Sequence, residues 1–210
     1  MTDTLIAFCG IDGAGKTTLV QEISNIIAAR HTEYDVVTSK HGSYETRNIL
    51  SRRISYDDPK DYLDGPSATL YAIASAIDFS RFDVSVDTPA NGGVQRRRMI
   101  LMDRYVDCFR AYAAAVNPSC HSLVDFLLAP YPSPDLTVFV RVSAATAWER
   151  ILKRPGGPTG DESYELLCRF DQGYLSVFEG RLDVLYLDNE KSVSDSATQV
   201  LMELESRGLL

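Results

Sequence analysis

The stretch Phe8-Cys9-Gly10-Ile11-Asp12-Gly13-Ala14-Gly15-Lys16-Thr17-Thr18 decides the fold. Gly10 to Thr17 matches G-x4-G-K-[ST], a loop whose backbone N–H groups curl inward around phosphate oxygens. It follows the apolar run Thr4–Cys9 and opens a helical pattern, Lys16–Arg30, with apolar residues at Leu19, Val20, Ile23, Ile26 and Ile27. Strand, loop and helix in that order put the positive end of a helix dipole behind the loop. Gly10, Gly13, Ala14, Gly15, Lys16, Thr17 and Thr18 are therefore the candidate triphosphate-binding residues. Lys16 would bring a full charge to the β- and γ-phosphates, and the Thr17 hydroxyl would ligate Mg²⁺.

Working outward, four more segments read as strands: Tyr34–Ser39, Met99–Met102, Leu136–Val142 and Val184–Leu187. Most are short, continuous apolar runs, the pattern of strands covered on both faces. Helical stretches lie between them: Ser67 to about Val84, Tyr105–Val116, Ser122–Leu128, Ala144–Lys153, Glu162–Phe178 and Ser194–Ser206. Strand alternating with helix predicts an α/β chain with a parallel sheet and helices on both faces. With the loop, this is the P-loop NTPase fold, for which a five-stranded sheet of order 2-3-1-4-5 is expected. Asp87–Gln95 and Pro155–Gly160 read as loops, neither long enough to be a domain linker, so a single domain over 1–210 is expected.

Composition bounds the partners. The chain has 210 residues and a net charge of -8, so most of its surface repels a phosphate backbone and nucleic acid is a poor partner. Cys9, Cys108, Cys120 and Cys168 form no zinc-type spacing and read as reduced thiols of a cytoplasmic protein. No run approaches the roughly 20 apolar residues of a membrane helix, and the N-terminus has no signal-peptide pattern.

Asp103 closes the third strand, where a carboxylate can hold Mg²⁺ beside Thr17; it can equally cap the following helix. A guanine-reading N-K-x-D is absent after the late strand, and so is a D-x-x-G switch after the third. A small-molecule kinase is what remains.

At this point the residues resemble a family. Phe8–Thr18 (FCGIDGAGKTT) and Asp103-Arg104-Tyr105 are similar to the P-loop and D-R-Y motifs of thymidylate kinases, and Pro134-Asp135-Leu136-Thr137 to their P-D-L-T strand. The resemblance implies ATP-dependent phosphoryl transfer to a nucleoside monophosphate, dTMP or a related nucleotide. It implies that Asp12 accepts a hydrogen bond from the sugar 3′-hydroxyl, that Arg104 holds the acceptor phosphate, and that Tyr112 crowds the sugar 2′ position. Arg81 lines up with an arginine that faces the base. Ile77 aligns with a base-stacking aromatic, with Phe79 about 200° around the helix from it. Cys108 and Phe109 align with residues at the base edge. Residues 153–169 resemble a lid, with Lys153, Arg154 and Arg169 as candidate catalytic cations. A homodimer is also implied.

The departures cluster on the acceptor side. Cys9 replaces a glutamate, Ser39-Lys40-His41 replaces F-P-R, and Pro155-Gly156-Gly157-Pro158 stands where the lid has a second arginine. Lys40 or His41 would have to supply the missing cation. Two other readings stay open: a kinase for a hydroxyl acceptor, for which Glu45 is the nearest base after strand two, and a nucleotide-binding protein without transfer activity.

Overall fold

Two apolar clusters, one on each face of a central sheet, organise the chain. Alternate residues of a strand point to opposite faces. In the first strand Ile6 and Phe8 enter one cluster while Leu5 and Ala7 enter the other. The strand through Met99 divides in the same way, Met99 and Leu101 against Ile100 and Met102. Burial on both sides is why these strands read as unbroken apolar runs.

The computed structural model describes residues 3–40, 44–54, 59–62, 64–81, 96–159, 162–190 and 192–210. Along the chain lie β1 (Thr4–Cys9), α1 (Lys16–Arg30), β2 (Tyr34–Lys40), α2 (Glu45–Ser51), α3 (Gly65–Ser80), β3 (Arg97–Asp103), α4 (Val106–Val116), α5 (His121–Leu128), β4 (Leu136–Arg141), α6 (Ala144–Lys153), α7 (Tyr164–Phe178), β5 (Val184–Asp188) and α8 (Val193–Ser206). Short 3-10 turns cover Pro59–Tyr62 and Pro118–Cys120. The sheet order is β2-β3-β1-β4-β5, and every pairing is parallel. The P-loop fold expected from the sequence is therefore present. α1 and α6 have the bounds read from the sequence, whereas α2 was not anticipated. β3 starts two residues earlier than its apolar run because Arg97 pairs with Tyr34 of β2. Val84, the expected end of the third helix, and the Asp87–Gln95 loop lie outside the described residues.

Register sets the site. Phe8 pairs with Asp103, and Lys40 pairs with Asp103 from the other side. The carboxyl ends of β1, β2 and β3 thus finish at one level, the crevice where open α/β sheets bind ligands. Serine side chains cap α6, α7 and α8: Ser143 accepts from Thr146 N, Ser163 from Leu166 N and Ser192 from Asp195 N. Helix α1 begins instead at Gly15, in the left-handed region with φ 91°, without a side-chain cap. Its first N–H groups are left facing the loop. Among the described residues no helix is long and apolar enough to cross a membrane.

Helices α4 and α7 meet at Gly173. A Cβ there would overlap the Ala111 carbonyl oxygen and sit 3.1 Å from Ala115 Cβ. Gly173→Ala is expected to force these helices apart and destabilise the protein by about 1–3 kcal/mol. Thermal unfolding should read this as a Tm lowered by roughly 3–10 °C.

Candidate active site

The donor end is the loop between β1 and α1. Gly10 lies so close to β4 that a Cβ would overlap the Val140 carbonyl oxygen. The loop is braced from outside by Asn189, whose Nδ2 donates to Ala14 O at 2.7 Å. Arg150 donates to Gly13 O at 3.4 Å and to Asn189 O at 3.0 Å. Lys16 is buried, and its Nζ donates to Gly10 O at 2.8 Å and Ile11 O at 2.7 Å. Burial, with Arg104 adding repulsion, pulls the Lys16 pKa down to about 8.

The Thr17 hydroxyl donates to Asp103 Oδ2 at 2.5 Å, and Lys40 Nζ lies 3.4 Å from the same oxygen. Asp103 Oδ1 is buried with no hydrogen-bond partner. An orphaned carboxylate oxygen beside a threonine hydroxyl at the mouth of the loop is a donor set suited to Mg²⁺, a hard cation that also keeps water and phosphate oxygens.

The acceptor end begins one residue later. Arg104 has φ 76°, a left-handed conformation uncommon outside glycine. Its N–H donates to Phe8 O at 3.0 Å, which fixes the corner against β1. The guanidinium then reaches Asp12 Oδ1 through Nη2 and donates from Nη1 to the Tyr112 hydroxyl at 2.5 Å. Tyr112 packs on Phe170 of α7 with ring centroids 4.5 Å apart. Burial alone would raise the Asp12 carboxyl; Arg104, then Lys16, Lys40 and Arg154, overcome that and hold it below the usual carboxylate range.

These groups open onto a cavity of about 500 Å³. Asp12, Arg104, Phe109, Tyr112 and Arg154 all line it, as do Lys40 and the lid residues Pro155, Gly156, Gly157 and Thr159. Arg154 is held by Glu162, at 3.1 Å to Oε1 and 2.6 Å to Oε2, and by Gly157 O at 2.9 Å. Glu162 also accepts from Thr159 N at 2.7 Å. The turn after α6 is therefore closed on itself.

Other sequence candidates lie elsewhere. α3 presents Tyr71 and Ser75 to the cavity, not Ile77 or Arg81. Arg81, just past the end of α3, lies 3.5 Å from Glu45. Phe79 is buried against Tyr105, Phe109 and Tyr131. Cys108 is fully buried in the same core cluster as Cys9, although its neighbour in sequence, Phe109, lines the cavity. Arg169 donates to Ala115 O at 3.2 Å and to Asp64 at 2.9 Å, and Lys153 lies 3.5 Å from Glu149. His41 lies outside the described residues. Arg47 of α2, which lines the cavity with Tyr44 and Tyr62, is not marked by any motif in the sequence. A helix of seven residues with none buried carries no periodicity by which to find it.

A triphosphate held by Lys16 is expected to bind in a pH-dependent way. Its charged form is lost in the ligand-free protein as pH rises through about 8. ATP affinity measured without acceptor should fall above that pH, by up to roughly tenfold per pH unit. For stability the sign is opposite. The folded pKa lies below the unfolded one, so the Lys16 contribution favours the native state increasingly from about pH 8 up to its unfolded value. Titration calorimetry of ATP across this range checks the first effect, and Lys16→Arg should flatten it.

The comparisons with known proteins agree with this geometry. The family model "Thymidylate kinase" matches residues 8–200. The thymidylate kinase of Staphylococcus epidermidis is 30% identical over 153 residues, 71% of this chain and 70% of that protein. That of Desulforudis audaxviator is 29% identical over 204 residues, 94% of this chain and 89% of the relative. That of Lactobacillus helveticus is 27% identical across 99% of this chain and 98% of its own length. Among solved structures, a deoxyadenosine kinase from M. mycoides superposes with a TM-score of 0.67 at 18% identity, covering 97% of this chain and 99% of the other. That last likeness is one of fold. A matched family model spanning most of the chain, on a sheet of order β2-β3-β1-β4-β5 with the loop and the Asp103-Arg104 corner in register, assigns the chain to the thymidylate kinase family.

Proposed function

We propose that this enzyme transfers the γ-phosphoryl group of ATP to the phosphate of a deoxynucleoside monophosphate, dTMP or a close relative. The observation that carries the reading is the charge of the acceptor cavity. Lys40, Arg47, Arg104 and Arg154 line it, against two carboxylates, Asp12 and Glu162, each already paired with an arginine. Such a wall suits an anionic acceptor. A phosphate oxygen is a nucleophile near neutral pH without a general base, so transfer needs positioning and charge neutralisation.

Each residue then has a task. The loop from Gly10 to Thr18 cradles the triphosphate, and Lys16 leaves its two carbonyl partners for the β- and γ-phosphates. Thr17 and Asp103 would hold Mg²⁺, which supplies charge neutralisation on the transferring phosphoryl group. Arg104 offers its fork to the acceptor phosphate. Asp12 takes the sugar 3′-hydroxyl and Tyr112 crowds the 2′ position. Phe109 provides an apolar wall for the base. Arg154 exchanges Glu162 for phosphate oxygens as segment 153–169 closes, which excludes water. Residues 1–210 act as one kinase domain in this reading, with a homodimer and a cytoplasmic location expected by kinship.

Transfer to a nucleoside hydroxyl would require a carboxylate base. Glu45 faces Arg81 and does not line the cavity. Asp12 does line it, so this second reading is tested directly. With ATP and Mg²⁺, dTMP should release ADP and yield dTDP, while thymidine stays inert. Lys16→Ala should lower kcat by about 10²–10³-fold with the fold preserved. Phosphorylation of thymidine with dTMP inert would reject the proposal. Tight ATP binding with no transfer across a nucleotide panel would mark a binding protein instead.

A further inference from the structure

Asn189, in the turn that follows β5, is buried with 2% of its surface exposed and does not line the acceptor cavity. Its backbone is fixed on both sides. The N–H donates to Arg141 O, at the end of β4, at 2.8 Å, and the carbonyl accepts from Arg150 Nη2 of α6 at 3.0 Å. The next residue, Glu190, accepts from the N–H of Ser143, the residue that caps α6, at 2.6 Å. Its own N–H donates to Asp188 Oδ1 at 3.0 Å. The Asn189 side chain therefore reaches the phosphate-binding loop from a turn tied to β4, β5 and α6.

The amide is used on one side only. Nδ2 donates to Ala14 O at 2.7 Å, while Oδ1 is buried without a hydrogen-bond partner. Arg150 Nη1 approaches the same carbonyl only to 3.5 Å, too far to replace that contact. The fit is close: a Cβ on Gly15 would lie 2.7 Å from Asn189 Nδ2. An unmet acceptor in the interior works against folding stability. An apolar side chain of similar size would fill the same place without it. Fold stability therefore does not account for an amide at position 189; its donor does.

A planar trans peptide points its C=O and its N–H to opposite sides. Ala14 O and the Gly15 N–H belong to one such peptide. A donor that holds the carbonyl outward turns the N–H the other way, into the hollow of the loop. From this we infer that Asn189 is a positioning residue for the phosphoryl donor: by holding Ala14 O it aims the Gly15 N–H at a phosphate oxygen of the bound triphosphate. Asn189 touches no ligand itself. The inference rests on the donor half of the reading above and is independent of which acceptor is phosphorylated.

The test compares wild type with Asn189→Leu, which keeps the size of the side chain, and Asn189→Ala, which cannot clash. Calorimetry with ATP and Mg²⁺, thermal unfolding without nucleotide, and the amide proton shift of Gly15 at saturating ATP are measured on each. The variants should bind ATP about 5- to 20-fold more weakly, the scale of one lost hydrogen bond of good geometry. The Tm of at least one of them should stay within about 3 °C of wild type or rise, because the orphaned acceptor is gone. In wild type the Gly15 amide proton should move downfield on ATP binding, and in the variants that movement should be at least halved. A residue that only supported the fold would lower Tm and leave the Gly15 shift on saturation unchanged. Unchanged ATP affinity, an unchanged Gly15 shift, or variants that both fail to fold would each overturn the inference. A wild type that binds no ATP would overturn the donor reading itself, and the role of Asn189 with it.

Discussion

The ion pair between Asp12 and Arg104 joins the phosphate-binding loop to the corner after β3, and the two halves of the site are arranged around it. Parallel pairing of Phe8 with Asp103 brings the two corners to one level. The Arg104 N–H to Phe8 O bond then turns the chain so that the guanidinium points back across the loop. The left-handed φ of Arg104 costs about 1–3 kcal/mol for a non-glycine residue. The bond to Phe8, the Asp12 pair and the Tyr112 hydroxyl together offset that strain. The residue aimed at the ligand is thus among the most constrained in the site, as pre-organised recognition requires.

Charge distribution follows the same division. The chain carries a net charge of -8, yet gathers Lys16, Lys40, Arg104 and Arg154 around one carboxylate, Asp12. A local positive field inside an acidic protein favours small anions in the crevice. In the ligand-free state these cations rest on groups of the protein itself: Lys16 on loop carbonyls, Arg154 on Glu162, Arg104 on Asp12. In the proposed reaction each contact is exchanged for a phosphate oxygen.

The donor half was legible in the sequence because it is contiguous. Eight residues from Gly10 to Thr17, a strand before them and a helix after them specify their own geometry. Asp103 and Arg104 were legible because a short apolar strand ends on them. The acceptor half is assembled from α2, α3, α4 and the turn after α6, and there one-dimensional reading loses the faces. α3 carries apolar residues all round, including Ala68, Ala72, Ile73, Ala74, Ala76 and Ile77, so its period does not tell which side meets the cavity. Alignment pointed to Ile77 and Arg81; the folded helix presents Tyr71 and Ser75. Adjacent residues of α4 part in the same way, Phe109 to the cavity and Cys108 to the core. α2 depends on Asp78, a residue 31 positions beyond Arg47, and no local pattern records such a cap.

The separation of donor and acceptor recognition at Arg104 is tested most directly by measuring dTMP and ATP binding calorimetrically in wild type and Arg104→Ala. With Arg104 as the acceptor-phosphate clamp, the variant should lose about 50-fold or more in dTMP affinity while ATP affinity stays within roughly threefold. Equal weakening of both ligands, or dTMP affinity left unchanged, would contradict the division of the site on which the assignment of its two ends rests.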